Sequence, residues 1–485
     1  MKKNRLALII PPVIMHGYRD AGCKQSLPHI GIGYLASNVN SERAEIKIYD
    51  CPVERMTIDK LITELRQFNP DIVGFTAMTH QIDEAATAAA AVKKAFAKTT
   101  TIIGGYHATP LPVETLERYP AFDIAVHGEG EITLQYLLDA LSDSADLSSI
   151  NGICYRRNDE IKLNPPRELI RNLDTLSFPA YHLMPMEKYR GYYTVFLFRN
   201  RGAMLATARG CPYQCVFCFK LSGSHYRPRS IDAVVEEIKR DINDFNINQF
   251  LITDEAFTLK RDRVRLFCEK LLQEGISKKI KWICESRVDH VDLEILKLMK
   301  KAGCQIIGFG IESGNQEILD KIKKNFKLET AVQAIRLTKQ AAILTETNFI
   351  LGHPFETRQT IKDTINFAVK LNAHLALFGI LSPFPGTAVY EMAKKGTGGL
   401  KLLTDDYTKY GKHIGSSLEL DNLSRKELEK YHRLAYMRFF LRPSKFLWLF
   451  LVIDIRMIFL MARNALVSLF KPTRSDPKNQ KCRLN

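Results

Sequence analysis

At 485 residues the chain is too long for one hydrophobic core, and 46% hydrophobic with 25% charged residues excludes a disordered or fibrous protein. The apolar run Leu6 to Pro12 after Met1-Lys2-Lys3-Asn4-Arg5 is too short for a signal peptide, so the ten cysteines are expected in a reducing cytosol, where a tight group means metal or redox chemistry. The formal net charge is +16, but from Asp421 onward fourteen Lys and Arg face five Asp and Glu, so the excess is a feature of the tail and no nucleic-acid partner is expected.

From residue 5 to 140, short β-rich runs alternate with helical stretches. Strands are predicted at Leu6 to Pro11, Ala44 to Tyr49, Ile72 to Ala77, Thr100 to Gly104 and Ile124 to Val126, the pattern of a parallel sheet covered on both faces. Residues 151–163 read as a hairpin turning at Asn158-Asp159, and the proline-marked stretch that follows reads as a linker. A second βα series is predicted from Gly202, with strands at Met204 to Ala208, Gln249 to Thr253, Ile280 to Glu285, Gln305 to Ile311, Thr345 to Leu351 and Leu375 to Leu381. Six such units suggest an open, partial barrel with its chemistry on the loops at the carboxyl ends of the strands. The fold class is therefore α/β. A Rossmann-like or flavodoxin-like domain occupies 1–150, a hairpin and linker 151–195, a partial (β/α)6 barrel 196–395 and a helical region 396–485.

Cys211, Cys215 and Cys218 form a C-x3-C-x2-C loop just after the first barrel strand. Three thiolates can ligate three irons of a cubane and leave the fourth open, since the next cysteine, Cys268, lies in a predicted helix. A zinc site with His225 as fourth ligand is the alternative. In the first domain the strand-closing residues are the informative ones: Gly104 and Gly105 in IIGGYHATP, Gly128 and Gly130 in VHGEGE, with Asp50, Thr76 and Thr79 as polar groups. Absent side chains there would admit a large planar ligand, and tight turns would also explain them. No G-x-G-x-x-G follows the first strand, where LALIIPPVIMHG stands, so a nicotinamide site lacks its phosphate turn.

The loop RGCPYQCVFCFK, with YRPRS at 226–230, FLITDEAF at 250–257, WICESRVD at 282–289, GFGIESG at 308–314, FILGHPFET at 349–357 and SPFPGT at 382–387, resembles the radical S-adenosylmethionine (SAM) superfamily. The resemblance implies a [4Fe-4S] cluster on the three cysteines, with SAM on the open iron and cleaved to a 5'-deoxyadenosyl radical by one electron from a donor such as flavodoxin or ferredoxin. It also implies SAM contacts from Phe217, Asp254, Glu255, Arg287, Gly310, Glu312 and Ser313. Charged members of that set would equally serve as structural ion pairs at the barrel mouth.

The domain order, with GGYHATP followed by HGEGE, resembles the cobalamin-binding branch, which includes methylases and cyclases. It implies a cobalamin site from Asp50, Thr76, Thr79, Gly104, Gly105, His107, Gly128, Glu129 and Gly130. The D-x-H-x-x-G signature is missing, Gly105 standing where its aspartate would be, so the corrinoid's lower face is expected to meet a residue other than histidine. The expected activity is methylation or other remodelling of an unactivated carbon; no substrate motif is readable, and a lipid or other hydrophobic substrate would suit the tail. Methylthiotransferases are a rival that needs three further grouped cysteines, against which Cys23, Cys51 and Cys154 are dispersed. A membrane-attached electron carrier is a rival of another class.

Residues 436–470 are strongly apolar, but Asp454, Arg456 and Arg463 interrupt them, so a spanning helix is not expected. With Arg438, Arg442, Lys445 and Lys471 flanking, the segment suits a helix lying on an anionic membrane surface, and the protein is expected in the cytoplasm or at the membrane's inner face. A helical cap on the barrel is the alternative.

Overall fold

The computed structural model describes residues 3–12, 27–189, 201–411, 415–443 and 445. The first sheet contains β1 (Asn4–Ile10), β2 (Ala44–Asp50), β3 (Ile72–Thr76), β4 (Thr100–Gly104) and β5 (Ile124–Val126), parallel and ordered β2-β1-β3-β4-β5. This is the flavodoxin-like doubly wound order, whose ligand crevice opens at the carboxyl ends where the order reverses. Alternate residues explain the two covered faces. Leu6, Leu8, Ile72, Ile102 and Ile124 point into one core, and Ala7, Ile9, Val73, Ile103 and Ala125 into the other. In the helix Ile82–Ala95 the buried positions Ala85, Ala88 and Ala89 let its backbone lie close to the second face.

The hairpin turns where the sequence places it, between β6 (Ile153–Arg157) and β7 (Glu160–Leu163). Asn158 and Asp159 both take positive φ, 50° and 64°, as the tight two-residue hairpin turn requires. It is not a free connector. β6 pairs antiparallel with β5, so the first sheet has seven strands and the hairpin shares its core.

The second sheet is parallel throughout: β8 (Gly202–Leu205), β11 (Gln249–Ile252), β12 (Lys281–Ser286), β13 (Cys304–Glu312), β14 (Leu344–Leu351) and β15 (Leu375–Ile380), in sequential order. Between its first two strands the short pair β9 (Ala208–Arg209) and β10 (Arg227–Pro228) closes the cysteine loop. β16 (Leu400–Leu402) and β17 (Leu418–Leu420) form a small antiparallel pair. The sheet is an open barrel. Its β15 edge is covered by the helix Arg425–Phe440, started by a reciprocal Ser424/Glu427 cap. There Tyr436 meets the Phe378 ring at 5.3 Å, and His432 Nε2 lies 2.9 Å from the Phe378 carbonyl.

Three of the basic residues that flank the apolar tail also meet the barrel. Arg438 bonds Asn366 at 2.7 Å, Arg442 donates to the Val369 carbonyl at 2.9 Å and Lys445 to the Ala373 carbonyl. Val369 and Ala373 lie at and just beyond the end of the helix Arg358–Leu371, whose last carbonyls have no partner within the helix, so Arg442 and Lys445 cap it. Arg456, Arg463 and Lys471, with the rest of the proposed surface helix, lie outside the described residues. Among the described residues no helix is long and apolar enough to cross a membrane.

Candidate active site

The loop 211–218 leaves the carboxyl end of β8 on a glycine that nothing can replace. Gly210 has φ 88°, and a Cβ there would collide with the His225 carbonyl of the returning strand. The loop is held on both flanks: the Val216 amide donates to the Ile322 carbonyl at 3.2 Å, and the Val389 amide to the Val216 carbonyl at 3.0 Å. Cys211 and Cys215 are half-buried and Cys218 is exposed, whereas Cys51, Cys154, Cys268, Cys284 and Cys304 are closed inside the cores. Among the described residues no three His, Cys, Asp or Glu side chains are gathered into a site for a single ion. A cubane gives each thiolate its own iron, so its ligands stand wider apart than those of one ion. The Cys218 thiol is pushed up to about 11, first by desolvation and then by Cys215 and Cys211. Burial and neighbouring thiols oppose ionisation of Cys215 and Cys218, a donor set suited to a cationic cluster, which relieves that repulsion.

The residues around the loop fall into those free to meet a ligand and those committed elsewhere. Asp254 is committed. It is 3% exposed and accepts from the Thr207 amide (2.6 Å), the Thr207 hydroxyl (2.5 Å) and the Ala208 amide (3.1 Å), so it fixes the start of the loop. Glu255 is exposed and accepts from the Gly210 amide at 3.1 Å. Ser313 is fully buried, its hydroxyl 3.1 Å from that of Thr364, and shapes the strand end.

Arg287 holds Asp289 through two bonds of 2.9 and 2.8 Å and lies 3.7 Å over the Tyr213 ring. Its Nη1 is buried without a partner, an orphaned cationic donor that a ligand carboxylate would satisfy. Glu312, at φ 72° on the bulged end of β13, pairs with Lys324 at 2.9 Å. Gly310 makes room for this pair, since a Cβ would stand 2.6 Å from Glu312 Oε1 and 3.0 Å from Lys324 Nζ. Burial opposes the Lys324 charge, but Glu312 and Cys215 outweigh it and hold the pKa above its ordinary value.

Sequence reasoning missed three residues here. Lys324 sits in a lysine-rich turn that reads as a solvated surface. His353, in GHPFET, is fully buried, with its ring 5.5 Å from Phe217 and neither nitrogen hydrogen-bonded. Burial, then the Lys324 charge, lowers its pKa to about 3, so the imidazole is neutral. Tyr106, in GGYHATP, is 47% exposed and meets Phe219 of the cysteine loop at 6.2 Å, joining the two domains' mouths. An aromatic left outward at a strand end was the available signal.

At the crevice of the first sheet, the glycines divide. A Cβ on Gly128 (φ 85°) would meet nothing within 4 Å, and one on Gly104 only Val126 at 3.8 Å, so both leave open space. Gly105 (φ 99°) is instead demanded by packing, a Cβ standing 2.9 Å from Thr76 Oγ1, and Gly130 by Leu35 at 2.9 Å. Thr79 is buried, and Asp50 accepts from the Val53 amide (3.2 Å) and Tyr189 hydroxyl (2.7 Å). His107 is 1% exposed, with its ring 4.7 Å from that of Tyr407 and its pKa lowered to about 4 by burial and Arg118.

The glutamates of HGEGE do something the sequence did not suggest. Glu129 accepts from Arg209 (3.0 Å), from both Arg227 terminal nitrogens (3.0 and 2.9 Å) and from the Ile170 amide (2.8 Å). Glu131 takes the other end of Arg209 at 2.6 Å. Burial works against the Glu129 charge, yet the two arginines hold its pKa below the ordinary carboxylate value. Arg209 immediately precedes Gly210 and the cysteine loop, so this buried clasp ties the first sheet to the loop.

Comparison with known proteins agrees with this geometry. The family model of the radical SAM superfamily matches residues 205–368, and that of the B12 binding domain matches 21–138. An uncharacterized methyltransferase of Pyrococcus horikoshii is 35% identical over 446 residues, covering 92% of this chain and 94% of that protein. The anaerobic magnesium-protoporphyrin IX monomethyl ester cyclase of Cereibacter sphaeroides is 28% identical over 452 residues, covering 91% and 71%. The solved structure of the radical SAM methyltransferase TsrM from Kitasatospora setae, with cobalamin and a [4Fe-4S] cluster bound, has a similar fold: TM-score 0.69 at 18% identity, covering 94% of this chain and 90% of that one. The chain is an enzyme of the radical SAM superfamily, in the branch that carries a B12-binding domain.

Proposed function

We propose that the protein methylates an unactivated carbon, with Cys211, Cys215 and Cys218 holding the cluster and the crevice at Gly104 and Gly128 holding the corrinoid. The observation that carries this reading is the juxtaposition of the two sites: Tyr106 on the crevice touches Phe219 on the cysteine loop, and the Glu129 clasp fixes one against the other. When bound, the cluster supplies the electron that cleaves SAM, and cobalamin supplies a transferable methyl group.

The chain's own part is positioning. Arg287 Nη1 takes the SAM carboxylate, and the Glu312–Lys324 pair presents a carboxylate edge to its amino group. His353 stays neutral beside Phe217, offering hydrogen bonds without adding positive charge near a sulfonium. Asp254 and Ser313 act through the backbone they hold. Glu129 acts as the clasp that keeps the two cofactors in register.

A radical cyclase is the second reading, favoured by the likeness to the protoporphyrin cyclase over 91% of the chain. A methylthiotransferase fits less well, because Cys51 and Cys154 are closed in the core; Cys23 lies outside the described residues. Anaerobic reconstitution with cobalamin and methyl-labelled SAM over a lipid extract tests the proposal. Label entering a product together with 5'-deoxyadenosine formation supports methylation; 5'-deoxyadenosine with no label transferred to any product would replace it with the cyclase reading.

A further inference from the structure

The electron that the cluster needs must come from outside, and among the described residues two segments flank the loop. One flank is covered by the first domain, through Tyr106 on Phe219 and the clasp on Arg209. The opposite flank is formed by residues 321–327, whose Ile322 carbonyl takes the Val216 amide and whose Lys323 carbonyl lies 3.9 Å from the Cys215 sulfur. Along this segment the side chains alternate. Ile322, Lys324 and Phe326 are buried against the site, and Lys321, Lys323, Asn325 and Lys327 are exposed. The inner face therefore builds the cradle while the outer face, directly behind it, is basic.

Beside this face stands an unusual aromatic. Phe355 is 47% exposed and has φ 67°, a region that a bulky side chain adopts only at a cost and that glycine would occupy freely. The Lys321 ammonium lies 4.8 Å over its ring. A Cβ on Gly398 would reach both Phe355 and Met392, so the patch continues to the helix Ala388–Lys395, which ends in exposed Lys394 and Lys395. Glu317, paired with Lys321 at 2.6 Å, together with Asp320 and Glu391, offsets part of the charge. Lysines around one exposed aromatic make a surface complementary to an acidic partner, apolar at its centre and charged at its rim.

Resting on the two-cofactor reading above, we infer that Phe355 with Lys321, Lys323 and Lys327 is the docking surface for a small acidic one-electron carrier protein. The carrier is oxidised by one electron and the cluster is reduced by one, with no bond made or broken in the transfer. The test uses the full, reconstituted chain and reduced flavodoxin as the probe, with dithionite as a donor too small to need a docking surface. Lys323→Glu/Lys327→Glu should lower the rate of cluster reduction by flavodoxin at least about tenfold at low salt, with the difference shrinking as salt rises. Dithionite-driven 5'-deoxyadenosine formation should be unchanged. Phe355→Gly, which relieves the backbone rather than straining it, should slow the flavodoxin reaction alone. Wild-type flavodoxin rates in both variants overturn the docking surface and leave the two-cofactor reading standing. Absence of dithionite-driven SAM cleavage in the wild type overturns that reading, and the docking surface with it.

Discussion

Removing the Glu129 carboxylate tests the division between residues that bind a cofactor and residues that join the domains. In Glu129→Ala, Arg209 and Arg227 each lose a carboxylate partner, and the Ile170 amide loses its acceptor. Arg209 keeps Glu131 at 2.6 Å, and Arg227 keeps the Ile170 and Ser222 carbonyls at 2.5 and 2.8 Å. Breaking a buried pair from one side costs about 3–5 kcal/mol. For domains of this size that lowers the unfolding midpoint by roughly 10 °C. Glu131→Ala removes one bond to an arginine that retains Glu129, and should cost less than half as much. The assay is thermal unfolding of the cofactor-free chain, with hydrogen exchange at Ile170 and along 209–218. Equal effects of the two variants, or a Glu129→Ala midpoint at the wild-type value, would refute the clasp. Retention of cobalamin by Glu129→Ala would further show that the glutamate is not a corrinoid ligand.

Gly104→Ala should leave the unfolding midpoint within about 1 °C, because its Cβ meets only Val126, yet weaken cobalamin retention about tenfold by filling the crevice; equilibrium dialysis measures it. Lys324→Met leaves Glu312 buried and unpaired, so SAM cleavage should fall about 100-fold, with the midpoint also lowered. Glu356 is buried and its pKa is pushed up to about 8 by desolvation. The folded state then binds a proton that the unfolded state releases near pH 4.5, so stability falls as pH rises from there to about 8, by a few kcal/mol in all. Glu356→Gln, which still accepts from the Gly352 and His353 amides, should flatten that slope; an unchanged slope in denaturant titrations at several pH values would count against it.

Much of the fold was legible because its signals are local. The five β-rich runs of the first sheet and the six of the barrel are short segments rich in apolar and β-branched residues, and Asn158-Asp159 can take the two left-handed conformations of a tight hairpin turn. The cysteine loop was legible because its spacing is itself the chemistry. Pairings between distant residues were not. Glu129 finds Arg209 and Arg227 across 80 and 98 positions, and nothing local distinguishes a glutamate that clasps a neighbouring domain from one that touches a ligand. Lys324 is buried within a turn whose other lysines are exposed, a difference of facing that composition does not carry. The glycines show the same limit: Gly104 and Gly105 are adjacent, but one opens space and the other is required by Thr76.

One chain is expected to hold a radical-generating cluster and a corrinoid against each other. The most direct measurement is the iron, sulfide and corrinoid content of the anaerobically reconstituted chain, followed by 5'-deoxyadenosine release on reduction with SAM. One [4Fe-4S] cluster and one cobalamin per chain are expected, with 5'-deoxyadenosine formed by the wild type and lost in Cys215→Ala. A chain that takes up the cluster but no corrinoid, or cleaves no SAM when reduced, would contradict the account.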